Sequence, residues 1–205
     1  MDGRVARGGA SMAILGLVWL AGLAGSGLIA VDRATWWMEI APVLIVYPLL
    51  LLKRRRRLTS LALILIGLHG LVLMLGGAYT YARVPLGFWL QDVFHLARNP
   101  YDRIGHFMQG FVPAIVLREI LLSSTVRLGS LLPWSVLAYC LAFSALYELI
   151  EFGTAVTLGQ GADAFLGTQG DPWDTQWDML LCLIGAAAAL TLLSRVQDRL
   201  LDQST

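Results

Sequence analysis

The chain has 205 residues and a mean hydropathy of +0.68, with 57% hydrophobic and 14% charged residues. An average globular domain carries about 25% charged residues, so too few charges remain here to cover a soluble surface, and a disordered chain is excluded for the same reason. With 15 basic and 14 acidic residues the net charge is +1, which gives no bulk attraction to nucleic acid.

A spanning helix needs about 20 mostly apolar residues. The apolar runs are 12–31, 36–52, 58–78, 103–122, 131–153 and 177–195. They predict an all-α, polytopic membrane protein, a six-helix bundle forming a single integral membrane domain over 1–205. The run 12–31 follows Arg4 and Arg7 and is longer than the apolar core of a signal peptide, so an uncleaved span is expected. The run 36–52 is short and carries Pro42 and Pro48, which remove backbone donors and favour a kink. The block Lys53, Arg54, Arg55, Arg56 and Arg57 closes it and reads as a topology determinant. Placing that block inside also puts Arg4, Arg7, Arg118, Arg127, Arg195 and Arg199 inside. Eleven of the fifteen basic residues then face the cytoplasm, as do both termini.

On the outer side, Leu86, Trp89, Leu90, Val93, Phe94 and Ala97 recur at helical spacing, and Gln91, Asp92 and His95 share the other side. This predicts a short amphipathic surface helix over 86–97. The second outer loop, 154–176, has no Lys or Arg. It is rich in glycine (Gly159, Gly161, Gly167, Gly170) and acidic (Asp163, Asp171, Asp174). Trp36, Trp37, Trp89, Trp173 and Trp177 fall near predicted boundaries, where interfacial aromatics belong.

Depth is the informative property of the ionisable residues. Asp102 and His106 fall at the outer start of the fourth span, Glu148 and Glu151 at the outer end of the fifth, and Asp174 and Asp178 at the outer start of the sixth. Asp102, His106 and Gln109 share a face. So do Glu148 and Glu151, and so do Asp174, Asp178 and Gly185. A charged group facing lipid near the bilayer centre costs roughly 2.5–3.5 kcal/mol, so each stripe should face inward and the three should converge. Five carboxylates cannot all stay ionised together without compensation. Arg103 adjoins Asp102 but points away from its stripe, which leaves shared protons, a bound cation, or both. Carboxylates with one imidazole suit one divalent metal ion, although no HExxH or Glu-x-x-His spacing is present. The expected metal-ligating residues are His106, Glu148, Asp178, Asp174 and Asp102.

Helix capping is the competing account. Asn99-Pro-Tyr-Asp102 and Asp171-Pro-Trp-Asp174 both read as helix starts, with Asn99 and Asp171 as structural caps. Capping does not reach His106, Asp178, Glu148 or Glu151. Glu119, about 25 Å further along its helix than Asp102, is expected near the inner boundary, paired with Arg118 or Arg127. His69 is expected as a hydrogen-bonded packing residue. Cys140 and Cys182 lie in apolar runs and read as buried free thiols.

The string Arg98-Asn-Pro-Tyr-Asp-Arg-Ile-Gly-His-Phe-Met-Gln-Gly110 resembles the YjdF family of bacterial inner-membrane proteins. So do Arg118-Glu119, Tyr147-Glu-Leu-Ile-Glu151 and Gly167-Thr-Gln-Gly-Asp-Pro-Trp-Asp-Thr-Gln-Trp-Asp-Met179. The resemblance implies a multi-pass protein of the inner (cytoplasmic) membrane and no particular activity. A fainter similarity is to VanZ-like proteins, on Asp102, His106-Phe107, Glu148, Asp178 and Gly185. Arg103 stands in place of that family's Lys, Glu151 in place of Gln, and Cys182 in place of Asn.

Three functions follow. The first is a metal-assisted hydrolase or transferase on a lipid or cell-envelope substrate, with His106 and Glu151 as catalytic residues and Glu151 as general base. The second is proton or cation transport, which in a six-helix chain without an inverted repeat implies a homo-oligomer. The third is a structural or accessory envelope protein. Membrane lipids are the expected partners, and nucleic acid is not.

Overall fold

The computed structural model describes residues 2–52, 58–125, 127–158 and 169–203. Among them every regular element is helical: α1 (Asp2–Ile29), α2 (Arg33–Leu52), α3 (Ser60–Tyr79), α4 (Pro85–Phe94), α5 (Tyr101–Leu122), α6 (Leu132–Leu158) and α7 (Asp174–Asp202). A 3-10 turn, Gly129–Leu131, leads into α6. This is an all-α membrane protein. By length and composition α3, α5, the Gly129–Thr157 stretch and α7 can each cross a membrane, and the described apolar stretch of α1 is Ala13–Ile29. The basic block Lys53–Arg57 lies outside the described residues.

Several boundaries differ from the expected ones for physical reasons. Helix α2 begins at Arg33, because Asp32 Oδ1 accepts the Thr35 amide at 2.7 Å and caps the first turn. The Thr35 amide and hydroxyl hold the Asp32 carboxyl below the usual carboxylate range. Helix α6 continues to Leu158 and α7 starts at Asp174, so the loop is shorter than the expected 154–176, and its stretch 159–168 lies outside the described residues. Helix α7 runs on to Asp202 because its late polar residues find partners inside the bundle. Gln197 is fully buried and donates to the Ile115 carbonyl at 2.8 Å and to Glu119 Oε2 at 3.2 Å.

Helices α5 and α7 make the closest pair, and glycine sets the distance. A Cβ on Gly110 would run into the carbonyl of Cys182, and one on Gly185 into the Phe107 carbonyl. Backbone therefore meets backbone, as small residues allow between membrane helices. Cys140 Sγ donates to the Gly110 carbonyl at 3.8 Å and Cys182 Sγ to the Cys140 carbonyl at 3.5 Å, which brings α6 onto the same seam. Both cysteines are buried and free. On the other flank α3 packs against α1 and α2 around Trp19, Ile40, Val43, Ile66 and Met74.

Helix α4 is mostly exposed, burying only Gly87, and its Phe88, Trp89, Val93 and Phe94 face outward. It ends at Phe94, short of the expected Ala97, where His95 turns left-handed (φ 51°) and its N–H bonds Gln91 O. Trp37, Trp89, Trp173 and Trp177 are exposed, as interfacial aromatics should be. Trp36 is not: it is buried and donates to Ser26 Oγ at 3.0 Å.

At the end of the bundle opposite α4, Glu119 does not pair with Arg118 or Arg127. It accepts from the Thr59 amide (2.7 Å) and hydroxyl (2.8 Å) at the start of α3. Arg118 goes instead to Asp198 (2.7 Å) and Gln197 (3.0 Å). His69 Nε2 is buried without a hydrogen-bond partner, contrary to expectation.

Candidate functional site

The Gly110–Gly185 crossing fixes what lies one and two turns above it. His106 and Asp102 precede Gly110 by four and eight residues on α5, and Asp178 precedes Gly185 by seven on α7. At near-contact of the two backbones these side chains must meet. Asp102, His106, Glu148, Glu151, Asp174 and Asp178 are all buried.

His106 is the hub. Its Nε2 lies 3.6 Å from Asp102 Oδ1 and 3.8 Å from Asp178 Oδ2. Its Nδ1 lies 2.9 Å from Gln109 Oε1 and 3.8 Å from Glu148 Oε1. Gln109 Oε1 can only accept, so it takes the Nδ1 proton, and in the neutral imidazole the Nε2 lone pair faces the two aspartates. One ligand atom each from Asp102, His106 and Asp178 lies within 4.8 Å of the others. Separations of 3.6 and 3.8 Å are too long for hydrogen bonds. They match two ligands held about 2.1 Å from a common ion, which sit roughly 3–4 Å apart. Asp178 Oδ1 is buried with no hydrogen-bond partner, and Asp102 Oδ2 has only the Arg98 guanidinium, 3.6 Å away; a buried oxygen left so costs about 1–3 kcal/mol unless something fills the gap. The donor set therefore fits a divalent ion.

The other expected ligands sit differently. Asp174 is taken by Arg98, whose Nη1 is 2.5 Å from Asp174 Oδ1. Glu148 faces the Nδ1 side of the imidazole, away from the Nε2 side that Asp102 and Asp178 share. Glu151 follows Glu148 by one turn on α6 and carries no cation partner among the described residues.

Asp102 and Asp174 lie in the first turns of α5 and α7, whose N-cap residues are Pro100 and Trp173. The two turn residues before them do bind backbone. Asn99 Oδ1 accepts from the Tyr101 amide at 3.0 Å and Asp171 Oδ1 from the Trp173 amide at 2.9 Å, in the Asx-turn manner. Asn99 also exchanges two hydrogen bonds with Gln169, of 3.2 and 3.0 Å, which clasp the start of α5 to the start of α7.

Sequence reasoning missed two residues. Arg98 is the compensating cation, within 3.6 Å of Asp102 and 3.8 Å of Asp171 as well as bonded to Asp174. Its i, i+4 spacing to Asp102 was the available signal. Arg103 does point away, to Asp171 at 2.9 Å and over the Trp177 ring at 5.5 Å. The second omission is Glu39 on α2. It is buried and accepts from the Tyr147 hydroxyl at 3.0 Å, and the Tyr147 ring stands edge-on to His106 with centroids 6.4 Å apart. A lone acid in the run 36–52 was the signal there.

The pattern of residues has relatives. The family described as "Predicted membrane protein (DUF2238)" matches residues 11–199. The Inner membrane protein YjdF of Escherichia coli (strain K12) is 52% identical over 176 residues, covering 85% of this chain and 84% of that protein. No solved structure matches. With a family match over nearly the whole chain and a relative identical at half its positions, the chain belongs to the DUF2238 family of membrane proteins.

Proposed function

We propose that the protein is an inner-membrane, metal-assisted hydrolase or transferase acting on a lipid or cell-envelope substrate. In this reading the chain crosses the membrane six times with both termini cytoplasmic, so the α4 end opens outward. The name of the Escherichia coli relative supports the inner membrane, and the distribution of Lys and Arg supports the orientation.

The observation that carries the proposal is the Asp102–His106–Asp178 gap: three buried ligand atoms within 4.8 Å of one another, with Asp178 Oδ1 buried and without a hydrogen-bond partner. Three protein ligands leave coordination positions open, as catalytic sites do. A bound divalent ion would polarise a phosphoryl or acyl oxygen and lower the pKa of a bound water. Gln109 holds the His106 tautomer, which is the usual supporting role beside a metal. Glu148 and Glu151 are the carboxylates left to accept a proton, with Glu151 the general base.

A second, structural reading is favoured by Arg98 alone, which ties the Asp102 and Asp174 helices together. Elemental analysis of the detergent-purified protein separates the two. The enzymatic reading expects stoichiometric metal, lost in Asp178→Asn while the variant still elutes as folded protein. No metal in the unmodified protein leaves only shared protons and the structural reading.

A further inference from the structure

We infer that the α4 end of the bundle holds a binding site for the phosphate group of a membrane lipid, with Asp171 as the carboxylate that the phosphate displaces. The inference names a substrate class for the proposed reaction centre and so rests on that reading for its catalytic meaning, but its binding test does not.

A cavity of about 320 Å³ opens at this end. Its lining combines Leu96, Ala97 and Pro100 with Arg98, Arg103 and Asp171. Its depth relative to the lipid is marked twice. Helix α4 ends at its edge with Trp89, Val93 and Phe94 facing outward, and Trp173 is exposed at the start of α7. A row of exposed aromatics at a helix boundary lies at headgroup level. The cavity thus faces the headgroup layer with apolar residues for acyl or glycerol carbons and guanidiniums for an anion.

The arginines are already engaged by an anion. Asp171 Oδ2 is 2.9 Å from Arg103 Nη2 and 3.8 Å from Arg98 Nη1. Arg103 is one-third exposed and rests over Trp177, and its Nε is buried without a hydrogen-bond partner. Planar guanidiniums bind phosphate, like carboxylate, through bidentate bonds. A lipid phosphate would take the place of the Asp171 carboxylate on the guanidiniums, and that carboxylate, already 21% exposed, would turn toward solvent. Asp171 sits on a short turn after Gly170, which is in the left-handed region (φ 84°), and among the described residues its other side-chain hydrogen bond is local, to the Trp173 amide. Arg98 also reaches Asp102 at 3.6 Å, so a phosphate seated on Arg98 would adjoin the Asp102–His106–Asp178 gap.

The test is native mass spectrometry of the full chain with phosphatidic acid, diacylglycerol and inorganic phosphate, on unmodified protein, Arg103→Gln and Asp171→Asn. Metal content is measured on the same preparations. Phosphatidic acid should bind in preference to diacylglycerol, about tenfold more weakly to Arg103→Gln and several-fold more tightly to Asp171→Asn. The gain in Asp171→Asn is the decisive result, because a variant that merely loosens the fold would lose binding. Unchanged or weaker binding in Asp171→Asn overturns the inference. Inorganic phosphate binding that shows the same Asp171→Asn gain, with no preference for phosphatidic acid, overturns the lipid assignment. Absence of metal with the gain intact sinks the proposed reaction and leaves this site standing; metal present without the gain does the reverse.

Discussion

Gly110→Ala tests whether the helix crossing builds the site. The added methyl overlaps the Cys182 carbonyl, a backbone atom that no rotamer change can move. Restoring a normal contact requires α5 and α7 to part by on the order of 1–2 Å. Overpacking of this kind costs about 1–3 kcal/mol. Four residues above, the same displacement widens the 3.8 Å gap between His106 Nε2 and Asp178 Oδ2 to about 5 Å or more, too wide for ligands of one ion about 2.1 Å from each. The variant should therefore lose metal and melt several degrees lower in detergent. Gly153→Ala is the control: a Cβ there meets nothing within 4 Å, and a mid-helix glycine-to-alanine change is worth about 0.5–1 kcal/mol in favour of the helix. Metal content and thermal melting of the two purified variants read the comparison. A Gly110→Ala protein that melts and binds metal like the unmodified one would refute the packing argument.

Arg98→Gln should cost about 3–5 kcal/mol, because it strands the buried Asp174 and Asp102 carboxylates. Arg103→Gln, at a one-third exposed pair, should cost no more than about 1 kcal/mol, and detergent unfolding compares the two. Glu119→Ala leaves the Thr59 amide without its acceptor and Gln197 with only the Ile115 carbonyl and should cost at least about 2 kcal/mol; equal melting temperatures for variant and parent would contradict that role. For orientation, single cysteines at Ser130 and Asp92, in a background lacking Cys140 and Cys182, should label from the inside and the outside respectively; the reverse pattern would overturn the topology. Removing bound metal with a chelator should lower the melting temperature of the parent, as loss of any ligand specific to the native state does, and leave that of Asp178→Asn unchanged.

The inward stripes were legible because lipid makes burial of a charge expensive, so spacing alone tells which face of α5, α6 and α7 turns inward. What each charge then pairs with was not legible. Asp174 is an equally good ligand on paper, yet Arg98 reaches it from the turn before α5. Glu119 has an arginine beside it in sequence, but on a helix neighbours i and i+1 point apart, and the α3 start supplies a backbone donor. The α7 end ran past its apolar run because Gln197 and Asp198 found partners on α5, which hydropathy does not register. Glu39 was overlooked in an otherwise apolar run, and its partner Tyr147 is 108 residues away.

Whether Asp102, His106 and Asp178 hold a divalent ion is tested most directly by cobalt(II) titration of the metal-stripped protein, followed by visible absorption, beside His106→Gln. The account predicts a saturable band at one cobalt per chain, with nitrogen and oxygen ligation, that His106→Gln abolishes while its helical circular dichroism persists. A parent protein that develops no band, or a band that His106→Gln leaves unchanged, would contradict it.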